Sequence, residues 1–178
     1  MKRMRGAGVL IALMVASPSL SLAADAGLII FRGGIGATPV IAGNVTTNAL
    51  LPNDVLGIAL GGRPWIIQTL DATVRANGDI QVDGRGLVLA GGNGIGTPGD
   101  QSVFASFFCN GQAILEFSTQ AVQLAANGDF RIQDTFAQVP PSPCATPVLL
   151  IRSSVNGNWF AAGVPANARN GDQLVSQQ

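Results

Sequence analysis

The sequence contains no histidine and no tyrosine, and its lysine and methionines all lie within the first 14 residues. General bases that act near neutral pH are most often histidines, and activated amines are lysines. Beyond that segment, the missing residue types exclude a serine–histidine triad, a serine–lysine pair, a histidine metal site and lysine–asparagine cross-links. We therefore expect no catalytic residue, no metal site and no cofactor, and we interpret the protein as a non-catalytic binding or envelope-structural module.

Charge is also sparse, since charged residues make up only 11% of the chain. Beyond residue 23 the sequence has seven arginines and ten acidic residues, which gives a net charge of about −3. This balance lacks the basic stripe that nucleic-acid binding requires. We therefore expect no nucleic-acid partner, and the ligand is left open between a glycan and a protein.

Long hydrophobic runs are missing as well. The apolar run at residues 7–16 is about half as long as the roughly 20 residues that span a bilayer. It follows Lys2, Arg3 and Arg5 and precedes small residues, a pattern typical of a secretory signal peptide. We predict a signal peptide over residues 1–23, with cleavage after Ala23 or as late as Ala26, and a secreted or periplasmic protein with no membrane span. Residues 27–165 are expected to form one β-sandwich domain, followed by a polar tail at 166–178.

The chain has two cysteines, Cys109 and Cys144. In an exported protein, which folds in an oxidising compartment, an even number of cysteines indicates disulfide bonding. We predict one bridge between them, which either ties a strand end to a loop or links two sheets. Residues 140–144 are rich in proline, which indicates a stiff, extended loop and not a central strand. This loop is a candidate contact loop held by the bridge.

Asn-Gly, the strongest short-range signal for a β-hairpin, occurs six times. Two occurrences belong to a repeated Ala-Asn-Gly-Asp phrase, at residues 76–79 and 126–129. At the first copy a three-residue loop, with Gly78 in the left-handed conformation, places Val74 opposite Ile80 and keeps apolar residues on one face. The other predicted pairs there are Ala72 with Val82, Arg75 with Asp79, Thr73 with Gln81 and Asp71 with Asp83. The same rule at the second copy pairs Leu124 with Phe130, Val122 with Ile132 and Gln123 with Arg131.

The remaining strands follow the same logic. Residues 103–109 are apolar on both faces, which predicts a central strand that turns back at Asn110-Gly111. A further hairpin is predicted across Asn156-Gly157, and the glycine cluster at 91–96 lacks the spacing of a phosphate-binding loop, so it is interpreted as a turn. Many short strands separated by turn signals predict an all-β protein. We expect a single-domain antiparallel β-sandwich or Greek-key barrel, hairpin-rich, with one disulfide.

Five phrases support a wider resemblance: GRPW at 62–65, GLVLAGGNGIGT at 86–97, NGDFRI at 127–132, PCATPVLLIR at 143–152 and WFAAG at 159–163. Over about residues 55–165 the chain resembles a group of small exported bacterial proteins of unknown function. The resemblance implies a bacterial origin and an exported β-domain. It implies no activity and no functional residue.

The pairing of Asp71 with Asp83 is the one predicted arrangement of chemical interest. Two carboxylates opposed on neighbouring strands repel unless something compensates, and Arg85 and Arg75 share their predicted face. Three interpretations stay open: a solvated face with arginine neighbours, half of a calcium site, or the acid/base pair of a carboxylate-dependent hydrolase. The calcium interpretation would draw further ligands from Asp79, Asp100 and loop carbonyls.

Two tryptophans, Trp65 and Trp159, are predicted near strand ends. They are interpreted either as packing residues of the core or rim, or as an exposed aromatic platform for a sugar or peptide. Together with the carboxylate pair they complete the candidate ligand-contact residues, which are Trp65, Trp159, Asp71, Asp83 and Arg85.

Overall fold

The computed structural model describes residues 28–41, 50–51, 53–113 and 116–166. The predicted signal peptide, almost all of the predicted polar tail and most of residues 41–51 lie outside the described residues. The described residues contain no helix, and hence none that could cross a membrane. The predicted all-β fold class is confirmed.

Thirteen strands make up the described regular structure. They are β1 (Ile29–Gly36), β2 (Val40–Ile41), β3 (Leu50–Leu51), β4 (Trp65–Ile66), β5 (Thr69–Val74), β6 (Asp79–Arg85), β7 (Val88–Leu89), β8 (Ser102–Phe108), β9 (Glu116–Ser118), β10 (Val122–Gln123), β11 (Phe130–Thr135), β12 (Val148–Ser153) and β13 (Trp159–Ala166).

One curled antiparallel sheet dominates the fold, with the strand order β10-β8-β12-β13-β1-β5-β6-β11 and with β9 also paired to β8. The pairs β2–β3 and β4–β7 form two small separate ribbons. Of the two expected architectures, the single curled sheet is closer to a barrel than to a sandwich. The first and last described strands are neighbours, because β1 pairs with β13 and Ile30 lies opposite Ala166.

The β5–β6 hairpin confirms the predicted register residue by residue. Val74 lies opposite Ile80, and Asp71 lies opposite Asp83. The three-residue loop is closed by the Arg75 N–H, which donates to the carbonyl of Asp79 at 2.9 Å. Gly78 has φ +93°, a left-handed conformation that costs glycine little because it has no Cβ. The apolar face of this hairpin enters the core, and its polar face is left to solvent.

The second Ala-Asn-Gly-Asp turn has the predicted loop, but its flanking strands do not pair with each other. The Ala125 N–H donates to the Asp129 carbonyl at 2.9 Å, as in the first copy. Beyond the turn, β10 pairs with β8 and β11 pairs with β6. The predicted pairs Leu124–Phe130, Val122–Ile132 and Gln123–Arg131 are therefore wrong, although the inward and outward faces of the five residues other than the half-buried Val122 are correct.

A side-chain hydrogen bond joins the two segments where a strand ladder would otherwise continue. The Gln120 N–H, between β9 and β10, donates to Oδ2 of Asp134 on β11 at 2.7 Å. A carboxylate thus occupies the space that a main-chain carbonyl would fill in a continuous ladder. The two ends of the sheet meet through the turn and this bond, and not through a strand pair.

The core is aromatic at its centre. Phe107 is fully buried, with its ring centroid 6.3 Å from that of Phe31, 6.3 Å from Phe117 and 6.1 Å from Phe136. Phe117 and Phe136 are 5.8 Å apart, and they lie on the two sides of the junction between the sheet ends. Strand β8 is fully buried on both faces from residue 105 to 108, which confirms the predicted central strand.

The predicted disulfide is present. Cys109 follows β8 directly, Cys144 lies in the proline-rich loop, and their Cα atoms are 5.2 Å apart. The bridge therefore ties a strand end to a loop, the first of the two predicted arrangements. Next to it, Oδ1 of Asn110 accepts a hydrogen bond from the Ala145 N–H at 2.9 Å, which fixes the loop at a second point.

Candidate functional site

Four charged residues form a single row across four neighbouring strands. In the ladder register, Arg32 on β1 lies opposite Asp71 on β5, Asp71 opposite Asp83 on β6, and Asp83 opposite Arg131 on β11. We call these four residues the charged row. Two acidic residues at its centre are thus flanked by two basic ones. Residues directly opposite each other in a ladder point to the same face, so all four lie on one face, on strands about 4.8 Å apart.

Arginines compensate the opposed carboxylates. The Arg85 Nε donates to Oδ1 of Asp83 at 2.9 Å, and its Nη1 donates to Oδ2 of Asp129 at 3.2 Å. Nη1 of Arg32 lies 4.0 Å from Oδ1 of Asp71. The two carboxylate bonds raise the pKa of Arg85, first through Asp83 and then through Asp129. Arg85 thus compensates Asp83, as its predicted place on the same face allowed, while its role as a ligand contact stays a prediction.

The charged row lies in a shallow, open groove. The groove has a volume of about 190 Å³, and Thr73 and Gln81 line it beside the row. The Asp71 side chain is 62% exposed, while that of Asp83 is 39% exposed. Pockets that enclose a small molecule are typically about 300–1,000 Å³. The groove is smaller than such pockets and open to solvent along the row.

Among the described residues, the structure shows no set of side chains that could act as calcium ligands. The described ranges contain no group of three or more cysteine or acidic side chains that could hold a metal ion. Asp79 is engaged at its own turn, where Oδ1 accepts from Oγ1 of Thr135 at 2.8 Å and Oδ2 from Nδ2 of Asn77 at 2.8 Å. These bonds lower the pKa of Asp79, with the Thr135 bond the largest cause.

Both tryptophans are buried, each with only 4% of its surface exposed. Trp65 stacks on Phe160, with centroids 4.0 Å apart and an interplanar angle of 19°. The Trp159 Nε1 donates to the carbonyl of Asn53 at 3.0 Å. The packing interpretation is confirmed and the exposed platform is wrong, because both rings are buried, Trp65 against the Phe160 ring and Trp159 beneath the loop that contains Asn53.

Sequence reasoning missed a second polar cluster, on β8, β9 and β12. The fully buried Ser106 hydroxyl contacts Oε1 of Glu116 at 3.0 Å and Nη1 of Arg152 at 3.1 Å. Arg152 also donates to Glu116 at 2.6 Å, and its guanidinium lies 5.1 Å from the centroid of the Phe104 ring. The only sequence signal is that Ser106 faces away from its neighbours Ala105 and Phe107 by strand alternation. Because its groups satisfy one another, this cluster is interpreted as structural.

No family model, curated protein or solved structure matches this chain. The function has to be argued from the geometry of the charged row and its surroundings.

Proposed function

We propose that the protein is an exported, non-catalytic binding module whose exposed β1-β5-β6-β11 face binds a neutral glycan. The observation that carries the proposal is the charged row, in which Arg32, Asp71, Asp83 and Arg131 stand side by side in register. The predicted signal peptide and the disulfide support export, since disulfides persist in oxidising compartments.

The chemistry of the row favours hydroxyl groups. Carboxylates only accept hydrogen bonds and guanidinium groups only donate them, whereas a sugar hydroxyl does both. Neighbouring hydroxyls of one sugar can therefore donate to Asp71 or Asp83 and accept from Arg32 or Arg131. Such charge-assisted bonds are stronger than neutral ones.

The charge balance of the row favours a neutral ligand. Two acidic and two basic residues sum to zero, so an anionic or cationic polymer gains no long-range attraction from the row. The four strands span roughly 14 Å, from three spacings of about 4.8 Å, which is long enough for several contacts along an extended chain. The open groove agrees with such a chain lying across the strands.

One carboxylate of the row, that of Asp83, is also held in position before binding. Asp83 is fixed by Arg85, and Arg85 is fixed in turn by Asp129, whose Oδ1 accepts the Gly86 N–H at 3.0 Å. Groups that are already positioned lose less side-chain entropy when a ligand binds.

An array of neutral and charged oligosaccharides, probed with the purified protein, tests the proposal. We expect binding to neutral glycans that weakens at least about tenfold in the Asp71→Ala/Asp83→Ala double variant, since a bond to a charged group contributes roughly 1.5–3 kcal/mol. Asp54→Ala, which removes an exposed carboxylate elsewhere, is the matched control and should bind as the parent does.

Two results would overturn the proposal. The first is absence of glycan binding, or equal binding by the double variant and by Asp54→Ala. The second is time-dependent release of shortened glycan that the double variant loses, which would support the carboxylate-dependent hydrolase instead.

A further inference from the structure

In an Asn-Gly pair the main-chain nitrogen of the glycine can attack the carboxamide carbon of the asparagine side chain. Glycine has no side chain to hinder this approach. Reaction requires that both groups be free to reach each other. The structure describes five of these pairs and shows that they differ in this respect. They are Asn77-Gly78, Asn93-Gly94, Asn110-Gly111, Asn127-Gly128 and Asn156-Gly157.

Three hydrogen bonds lock each of the two repeated turns. At the first, Asn77 donates through Nδ2 to Asp79 at 2.8 Å and accepts through Oδ1 from the Asp79 N–H at 3.1 Å. The Gly78 N–H, which would be the nucleophile, donates to the carbonyl of Arg75 at 2.9 Å. The turn at Asn127 repeats all three bonds, at 2.9, 3.1 and 2.8 Å.

Two further pairs are held by fewer bonds. Asn156 accepts from the Asn158 N–H at 3.1 Å, and the Gly157 N–H donates to the carbonyl of Ser153 at 2.9 Å. The Asn110 carboxamide accepts from the Ala145 N–H at 2.9 Å, beside the disulfide. In each case the carboxamide has to break a bond before it can turn toward the glycine nitrogen.

Asn93 differs from these four. It is exposed, and it occupies the tip of a turn closed by the Ile95 N–H, which donates to the carbonyl of Gly92 at 3.2 Å. Among the described residues, neither the Asn93 carboxamide nor the Gly94 N–H has a hydrogen-bond partner, so both reacting groups are open.

We propose that Asn93-Gly94 is a site of spontaneous deamidation through a succinimide. The Gly94 nitrogen bonds to Cγ of Asn93, the bond from Cγ to the amide nitrogen breaks, and ammonia leaves with the proton that the Gly94 nitrogen gives up. Water then opens the ring at either carbonyl, leaving aspartate or isoaspartate at position 93. Solvent water is the only co-reactant and no oxidant is involved.

Arg63 lies close to this turn. A β-carbon built on Gly94 would lie 3.9 Å from Nη1 of Arg63. Arg63 lines a cleft of about 480 Å³ together with Gln101 and Asn156. Deamidation therefore adds a negative charge to the turn next to this exposed arginine, and the isoaspartate form also lengthens the main chain of the loop.

Incubation of the folded protein in mildly alkaline buffer, followed by peptide mass mapping, tests the proposal. We expect position 93 to convert at least about tenfold faster than 77 or 127, because each hydrogen bond that must open slows the reaction roughly two- to tenfold. Conversion should stop in Asn93→Gln, and Gly94→Ala should slow it. Asn170-Gly171 lies outside the described residues and is left out of the ranking.

The unfolded chain provides the control for local sequence. In denaturant with the disulfide reduced, the five sites should react at similar rates, because the turns no longer hold them. If position 93 is not the fastest of the five in the folded protein, or if the folded and unfolded rankings agree, the proposal is wrong.

Discussion

The main chain of Gly128 packs directly against Leu87. The Leu87 N–H donates to the Gly128 carbonyl at 3.0 Å, and a β-carbon built on Gly128 would lie 2.5 Å from the Leu87 oxygen. At the equivalent position of the first turn, a β-carbon on Gly78 would meet nothing nearer than 3.8 Å. The two turns thus share a conformation, with φ +80° and +93°, and the Gly78 carbonyl likewise accepts the Phe136 N–H at 3.0 Å, but only at Gly128 is the neighbouring segment close enough to overlap with a β-carbon.

Alanine substitutions at these two glycines should separate backbone strain from steric contact. Gly78→Ala is expected to cost about 1–2 kcal/mol, the price of a left-handed conformation for a residue with a Cβ. Gly128→Ala should cost about 1–3 kcal/mol more, because the added carbon overlaps the Leu87 main chain. Urea unfolding measures both, and equal losses would contradict the close approach.

Removal of the disulfide should destabilise the fold by about 3–4 kcal/mol, since its ends are 35 residues apart in sequence. The Cys109→Ser/Cys144→Ser double variant and the reduced parent should therefore melt at similarly lowered temperatures. Mass spectrometry before and after reduction should show a gain of two hydrogens. Two free thiols in the protein purified without reductant would refute the bridge.

Phe107 should be among the most sensitive core positions. Phe107→Ala removes a fully buried ring that contacts three other phenylalanines, and a loss of about 3–5 kcal/mol is expected. Phe104→Ala on the same strand is the matched control, because Phe104 is only half-buried, and it should cost at least about 1 kcal/mol less. Similar losses at the two positions would mean that the aromatic cluster is not the centre of the core.

Acid should weaken the fold through two aspartates. The Thr135 and Asn77 bonds lower the pKa of Asp79, and the Gly86 N–H, with help from Asn127 and Arg85, lowers that of Asp129. Since both folded-state pKa values lie below the ordinary 3.8, their stabilisation is present above that pH and is lost as the pH falls through the folded values.

NMR titration of the side-chain carboxyl carbons checks this assignment. Thr135→Val removes the main cause at Asp79 and should raise its pKa toward the ordinary value, while Asp129, which has no bond to Thr135, should titrate as before. A folded-state pKa of Asp79 that does not move in Thr135→Val would contradict the assigned cause.

The register of the first hairpin could be predicted completely from local sequence. A three-residue loop and the strict alternation of apolar and polar residues leave only one register, with Val74 opposite Ile80. The second hairpin shows the limit of that reasoning. Its turn is local and was predicted, but the partner of β11 is β6, and the contact between β11 and the segment before β10 is made by the Asp134 side chain, which has no sequence pattern of its own.

The charged row could likewise be predicted only in part. Hairpin register placed Asp71 opposite Asp83 and put Arg85 on their face, whereas Arg32 and Arg131 come from strands whose neighbours only the complete sheet defines. Packing was one of two open interpretations for Trp65, and the sequence could not choose between them because its burial depends on stacking against Phe160, far along the chain.

The adjacency of β1 and β13 determines how the domain would respond to tension. Because Ile30 lies opposite Ala166 at one end of an antiparallel ladder, a force pulling these two residues apart acts at the end of that ladder. It would open the β1–β13 hydrogen bonds one after another, as in peeling, instead of loading them all together in shear. Anchored through these two ends, the domain would yield at low force; anchored through one end alone, it would carry no load across its sheet.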